Sequence, residues 1–200
     1  MKLFAAEAPP GLLEERHRLG HDRYDEMWDG VVHMNAVPHR DHQSLALQLG
    51  VWLFLNWRSS PEQEVYPDRN MALPGGWPHD YRIPDLVLTT AERADYDKGT
   101  YIEGPPLVCV EIHSPRDEAY EKLEFYARLG VPEVWIIGRD SKQIELYLLD
   151  TVTQTYRLAD PGHDGWILSV ATKIRLKTIE KRLAIQLADD ESTRAELPQR

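Results

Sequence analysis

Cysteine is almost absent from this 200-residue chain: Cys109 stands alone, so no disulfide can form within it. A lone cysteine inside an apolar segment suits a reducing cytoplasm. Long apolar runs are missing too. Nothing approaches the roughly 18 residues of a membrane span, and the N-terminus lacks the charged and apolar regions of a signal peptide, so no membrane role is expected. Basic charge is scarce relative to acidic. Lys and Arg number 23 against 33 Asp and Glu, a net of −10. That balance counts against a protein whose main task is gripping nucleic-acid backbones, because such affinity comes from cations neutralising phosphates. It leaves room for a nucleic-acid enzyme with a metal site and a small basic rim. Repeats, low-complexity tracts and linkers are also lacking. What remains is an ordinary globular composition, 42% hydrophobic and 28% charged.

The length fits one domain with a proper core. The reading is a mixed α/β domain over residues 17–188, with an arm at 1–16 and a polar tail at 189–200 that frays. Residues 24–34, YDEMWDGVVHM, read as a helix end, a tight turn and a strand. From His42 to Asn56, Leu45, Leu49, Trp52 and Leu53 recur at helical spacing. Apolar segments at Ile83–Leu88, Leu107–Ile112 and Glu133–Ile137 read as strands. Ile144–Leu149 and Gln154–Leu158 form a hairpin, and short strands follow at Trp166–Leu168 and Lys173–Leu176. Residues 91–106 read as a surface loop or short helix, and Leu183, Ile185 and Leu187 are assigned to a C-terminal helix.

Three charged residues interrupt otherwise apolar elements. Asp85 and Glu111 lie in two strands. Lys122 falls on the apolar side of a helical pattern that follows Ser114–Pro115 and closes at Gly130 and Pro132. A carboxylate in a buried strand is costly unless something pairs with it. Two carboxylates from neighbouring strands make a hard oxygen site suited to Mg²⁺, or Mn²⁺. A nearby Lys can orient an attacking water or stabilise a phosphoryl transition state. The set is a minimal kit for phosphodiester hydrolysis. The same residues also fit a buried ion pair, with Lys122 bridging one carboxylate. A glycosidase-type carboxylate pair has no use for Lys122 and ranks low.

The order Pro84–Asp85, then Glu111 in a strand, then Lys resembles the PD-(D/E)XK superfamily, the restriction-endonuclease-like proteins. More closely, the chain resembles the Uma-two family of endonuclease-like proteins. The matching stretches are YDEMWDGVVHM (24–34), PHRDHQSLALQL (38–49), IPDLVL (83–88), PPLVCVEIHSP (105–115) and EKLEFYARLGVPEVWII (121–137), followed by the strand region at 167–176. The resemblance implies a restriction-endonuclease-like core, a mixed sheet flanked by helices, acting on DNA as a metal-dependent endonuclease. It implies Asp85 and Glu111 as metal ligands with the Ile112 carbonyl as a third. His113 occupies the slot where the superfamily carries its Lys, and the Uma-two pattern takes that Lys from the next helix, here Lys122. Glu26 and His42 match supporting positions near the metal, and Tyr126 packs beside Lys122. Two alternatives stay open: a non-catalytic binding or assembly module on the same fold, and a hydrolase of a small phosphoester. A homodimer is expected from the aromatic residues Trp52, Trp57 and Trp77, taken as exposed.

Overall fold

The computed structural model describes residues 3–5, 11–20, 22–35, 37–58 and 60–199, the first three by backbone alone. The chain begins β1 (Leu3–Ala5), α1 (Leu12–Leu19), β2 (Glu26–Trp28), β3 (Val31–Met34) and α2 (Arg40–Trp52), which runs on into a wider π-helical turn, Leu53–Trp57. Then come β4 (Gln63–Pro67), β5 (Asn70–Ala72), β6 (Tyr81–Arg82), β7 (Leu86–Thr90), β8 (Tyr101–Glu103) and β9 (Val108–His113). The short helix α3 (Leu123–Leu129) leads to β10 (Glu133–Gly138), β11 (Ile144–Asp150) and β12 (Thr155–Leu158). The chain ends in β13 (Ile167–Leu168), β14 (Ile174–Ile179), β15 (Arg182–Leu187) and β16 (Ala195–Leu197).

The central sheet has the order β12-β11-β10-β9-β7-β4. Its one parallel pair, β9 with β10, is joined through α3, as a parallel crossover requires. Alternation along β9 divides the core. Val108, Val110 and Ile112 face α2 and the four-stranded sheet β13-β14-β15-β16. Cys109 faces α3 and the small sheet β1-β3-β2-β6-β5-β8. Glu111 shares that second face, since side chains of a strand repeat every two residues. The mixed α/β architecture agrees with the sequence reading.

Several local expectations do not hold. Residues 24–34 form a hairpin, β2 and β3, rather than a helix end and strand. Asp29 and Gly30 both adopt positive φ, as a tight two-residue hairpin turn demands. Leu183–Leu187 is strand, not helix. Ala184 and Gln186 are as buried as Leu183 and Ile185, so both faces are covered and no period shows. The tail expected to fray supplies β16, whose Leu197 is buried against that core. The arm contributes too, with β1 pairing to β3. Residues 91–106 include the strand β8, which buries Ile102. The helix after Ser114–Pro115 begins only at Leu123, with Lys122 immediately before it. Trp52 and Trp57 are 6% and 3% exposed, so they are core residues and not a dimer surface.

Candidate active site

The register of β7 against β9 pairs Leu86 with Val110; continued by one residue, it sets Asp85 opposite Glu111. Asp85 lies just before β7, past Pro84, where the backbone has left the ladder. Its Oδ2 accepts a 2.6 Å hydrogen bond from the Ile112 N–H, and its Oδ1 lies 3.2 Å from His42 Nε2 on α2. So one strand, β9, and one helix, α2, hold the carboxylate from two sides.

Glu111 is held from the other direction. Tyr126, one turn into α3, donates its hydroxyl to Oε1 at 2.6 Å, and the Lys122 ammonium reaches Oε2 at 3.1 Å. Lys122 also lies 2.7 Å from Glu26 Oε1 and donates to the Ile83 carbonyl at 3.1 Å. Glu26 arrives from the small sheet. The Ile83 N–H donates to its Oε1 and Trp28 Nε1 to its Oε2, at 2.9 and 2.7 Å. Lys122 therefore ties the two sheets together through one carboxylate of each. The strand contacts place Glu26 nearer to Lys122 than Glu111 is. Its signal is the hairpin itself, because Glu26 and Trp28 alternate onto one face.

Electrostatics follow from this crowding. Burial raises the Glu111 carboxyl to about 8; the Lys122 ammonium opposes that shift, and the Asp85 and Glu26 carboxylates reinforce it. Burial alone would lower Lys122, yet attraction to Glu111 and Glu26 outweighs it and holds the ammonium above its ordinary value. Lys122 is a permanent cation at neutral pH. Desolvation would likewise lower His42, but its bond to Asp85 and that residue's charge raise it instead. Among the described residues, the buried His42 Nδ1 has no hydrogen-bond partner. Asp68, which borders the same cleft, is raised by burial and by Asp85.

The remaining sequence candidate, His113, ends β9 and turns away. Its Nδ1 lies 2.6 Å from Asp117 and its ring meets Tyr120 edge-on, so it serves the loop that follows the strand. Asp85, Glu111, Lys122, Glu26 and His42 all border one cleft of about 350 Å³. Sequence reasoning missed the rim pair of that cleft, His33 and Glu118, joined at 2.9 Å across 85 residues of chain. Only the fold brings those two together.

The donor set suits a hard divalent cation. Two carboxylates, Glu26 and Glu111, contact the one ammonium, and the rise of Glu111 comes first from burial, with the Asp85 and Glu26 carboxylates adding to it. Each Asp85 and Glu111 oxygen takes one of the contacts just given and keeps a second lone pair. Among the described residues, no three His, Cys, Asp or Glu side chains form a cage for an ion.

Sheet order, the parallel β9–α3–β10 unit and a carboxylate-lined cleft at its end define a restriction-endonuclease-like fold. The structure is similar to one described as "a putative nuclease belonging to DUF820 from Anabaena variabilis ATCC 29413", with a TM-score of 0.57 and 13% identity over 74% of this chain and 83% of that one. The family described as "Putative restriction endonuclease" (Uma2) matches residues 13–179, and the chain belongs to it. No curated protein matches the chain.

Proposed function

We propose that the protein is a metal-dependent endonuclease that hydrolyses phosphodiester bonds in DNA. The observation that carries this is the meeting of Asp85, Glu111 and Lys122 at one cleft, from strand, strand and connection, in a chain of this family. Asp85, Glu111 and the Ile112 carbonyl would hold Mg²⁺, with Mn²⁺ as a substitute. Such an ion supplies an acidified water and positive charge beside the phosphoryl oxygens. The chain's own groups do the rest. Tyr126 and the Ile112 N–H fix the two carboxylates against rotation, so that the ligands need not reorganise on binding. Lys122 keeps its proton and therefore stabilises charge on the phosphoryl group instead of acting as a base. Glu26 anchors that ammonium, and His42 braces Asp85. The single buried Cys109 suits a reducing cytoplasm as the place of action.

The experiment is cleavage of single- and double-stranded DNA with Mg²⁺ or Mn²⁺, run beside Asp85→Asn with its fold checked by circular dichroism. Cleavage by the parent and its loss in the variant support the reading. If DNA is untouched while bis(p-nitrophenyl) phosphate is hydrolysed, the site is a small-phosphoester hydrolase.

A second reading draws on the completeness of the Glu26–Lys122–Glu111 contacts. In it the triad only joins two sheets, and the fold serves as a binding or assembly module. No divalent-dependent hydrolysis of either substrate would favour it.

A further inference from the structure

The turn that leaves β9 carries an arginine where such turns ordinarily carry glycine. The Asp117 N–H donates to the Ser114 carbonyl at 3.1 Å, closing a turn with Pro115 second and Arg116 third. Arg116 has a φ of 72°, in the left-handed region. Glycine or asparagine fills that place at little cost, and a residue with a long side chain is strained there. The left-handed lysines Lys142, Lys173 and Lys181 lie in turns that join paired antiparallel strands. Arg116 lies instead in the connection from β9 to α3, and it borders the cleft that holds Asp85, Glu111 and Lys122. Backbone pairing fixes its place. Gly138 of β10 stands opposite His113 of the parallel β9, and the Arg139 N–H donates to the His113 carbonyl at 2.8 Å. The turn is therefore at the carboxyl end of the parallel pair, where the crevice of such a sheet opens.

The cleft is acidic, and a phosphate enters it against that charge. Glu26, Asp68, Asp85, Glu111, Asp117 and Glu118 border it, in a chain with a net of −10. Among the described residues, three Lys or Arg side chains border it in return. Lys122 is buried and committed to Glu26 and Glu111. Arg139 spends Nε and Nη2 on the two oxygens of Asp140, at 2.8 and 2.7 Å. Arg116 is exposed and makes no hydrogen bond or ion pair among the described residues. The acids next to it in the chain are already engaged. Asp117 takes the His113 ring at 2.6 Å and the Ser114 N–H, and Glu118 takes His33. Neither draws the guanidinium back, so its donors stay available. A planar fork of that kind grips a phosphate diester bidentately.

We propose that Arg116 is a substrate-binding residue, whose guanidinium grips a backbone phosphate of the DNA at the mouth of the cleft and holds the strand against its acidic wall. The proposal rests on the nuclease reading and deepens it. Arg116 takes no part in the chemical step, so its loss should weaken the hold on DNA and leave the turnover of bound DNA alone.

Arg116→Gly is the variant of choice, because glycine adopts the left-handed turn freely and the fold is kept, which circular dichroism checks. Lys181→Gly, at the left-handed position in the β14–β15 turn, is the matched control. The first measurement is Mg²⁺-dependent cleavage of duplex DNA. In Arg116→Gly, KM should rise about tenfold with kcat within about twofold of the parent. Arg116→Lys should recover part of the loss, and Lys181→Gly should match the parent. The second measurement is binding of a short labelled duplex in EDTA across a salt series. The slope of log affinity against log salt should fall by about one in Arg116→Gly. An unchanged KM and salt slope overturn the proposal while the nuclease reading stands, and so does a loss confined to kcat. A parent that binds DNA without cutting it overturns the nuclease reading, and the salt slope then decides the proposal by itself. A parent that neither binds nor cuts DNA overturns both.

Discussion

An ammonium withdrawn from water between Glu26, Glu111 and the Ile83 carbonyl keeps its charge only because two carboxylates face it. Removing the cation leaves the buried Glu26 carboxylate uncompensated and the Glu111 carboxyl without its partner, which costs about 3–5 kcal/mol in comparable pairs. Lys122→Met should therefore lower stability by about that amount at neutral pH, read from urea unfolding. A neutral effect would mean that water already reaches the pair. Glu111 adds a pH dependence. Its folded value lies above its unfolded one, so it binds its proton more tightly in the folded state. The resulting stability is present below the unfolded value and is lost as pH rises, across a window from the ordinary 4.5 to about 8. Relative to Glu111→Gln, the parent should lose stability across that window and stop losing it above. Unfolding curves for both proteins at several pH values check this, and a constant difference contradicts it.

At the scale of elements, Glu133 opens β10 and plays a part that no pattern announced. Its carboxylate accepts the Ser169 hydroxyl at 2.6 Å, the Ala171 N–H at 2.8 Å and the Trp135 indole N–H at 3.3 Å. It thereby ties the central sheet to the four-stranded sheet. Glu133→Ala strands those buried donors, at about 1–3 kcal/mol each. The expected outcome is a loss of about 3 kcal/mol, with faster hydrogen exchange through residues 167–197 than around β9. Uniform exchange would show that the tie is not local. Long or strongly patterned elements were legible in the sequence, α2 from its apolar repeat and β9 and β10 from their apolar runs. β15 was not, because burial on both faces erases the period of two that separates strand from helix. The hairpin β2–β3 carried its signal, Asp29–Gly30, but the charged residues before it masked the strand.

At the scale of the molecule, the site is a meeting of parts. The central sheet supplies Asp85 and Glu111, the small sheet Glu26, and the connection between β9 and β10 supplies Lys122 and Tyr126. The charged interruptions of apolar elements are readable in order along the sequence, which singles out Asp85, Glu111 and Lys122. Glu26 as the nearest partner of Lys122, and His33 with Glu118 on the rim, are not, since their proximity depends on how one sheet lies over another. A cation that binds where these parts converge stabilises the folded state by mass action, by about 2.7 kcal/mol at a concentration a hundred times its dissociation constant.

The central claim is that two strand carboxylates hold a divalent ion beside a fixed ammonium. Calorimetric titration of Mn²⁺ into the parent and into Asp85→Asn tests it most directly. The account predicts saturable binding by the parent that is lost or weakened at least tenfold in the variant. No binding by the parent, or equal binding by both, would contradict it and leave Lys122 as the brace between two sheets.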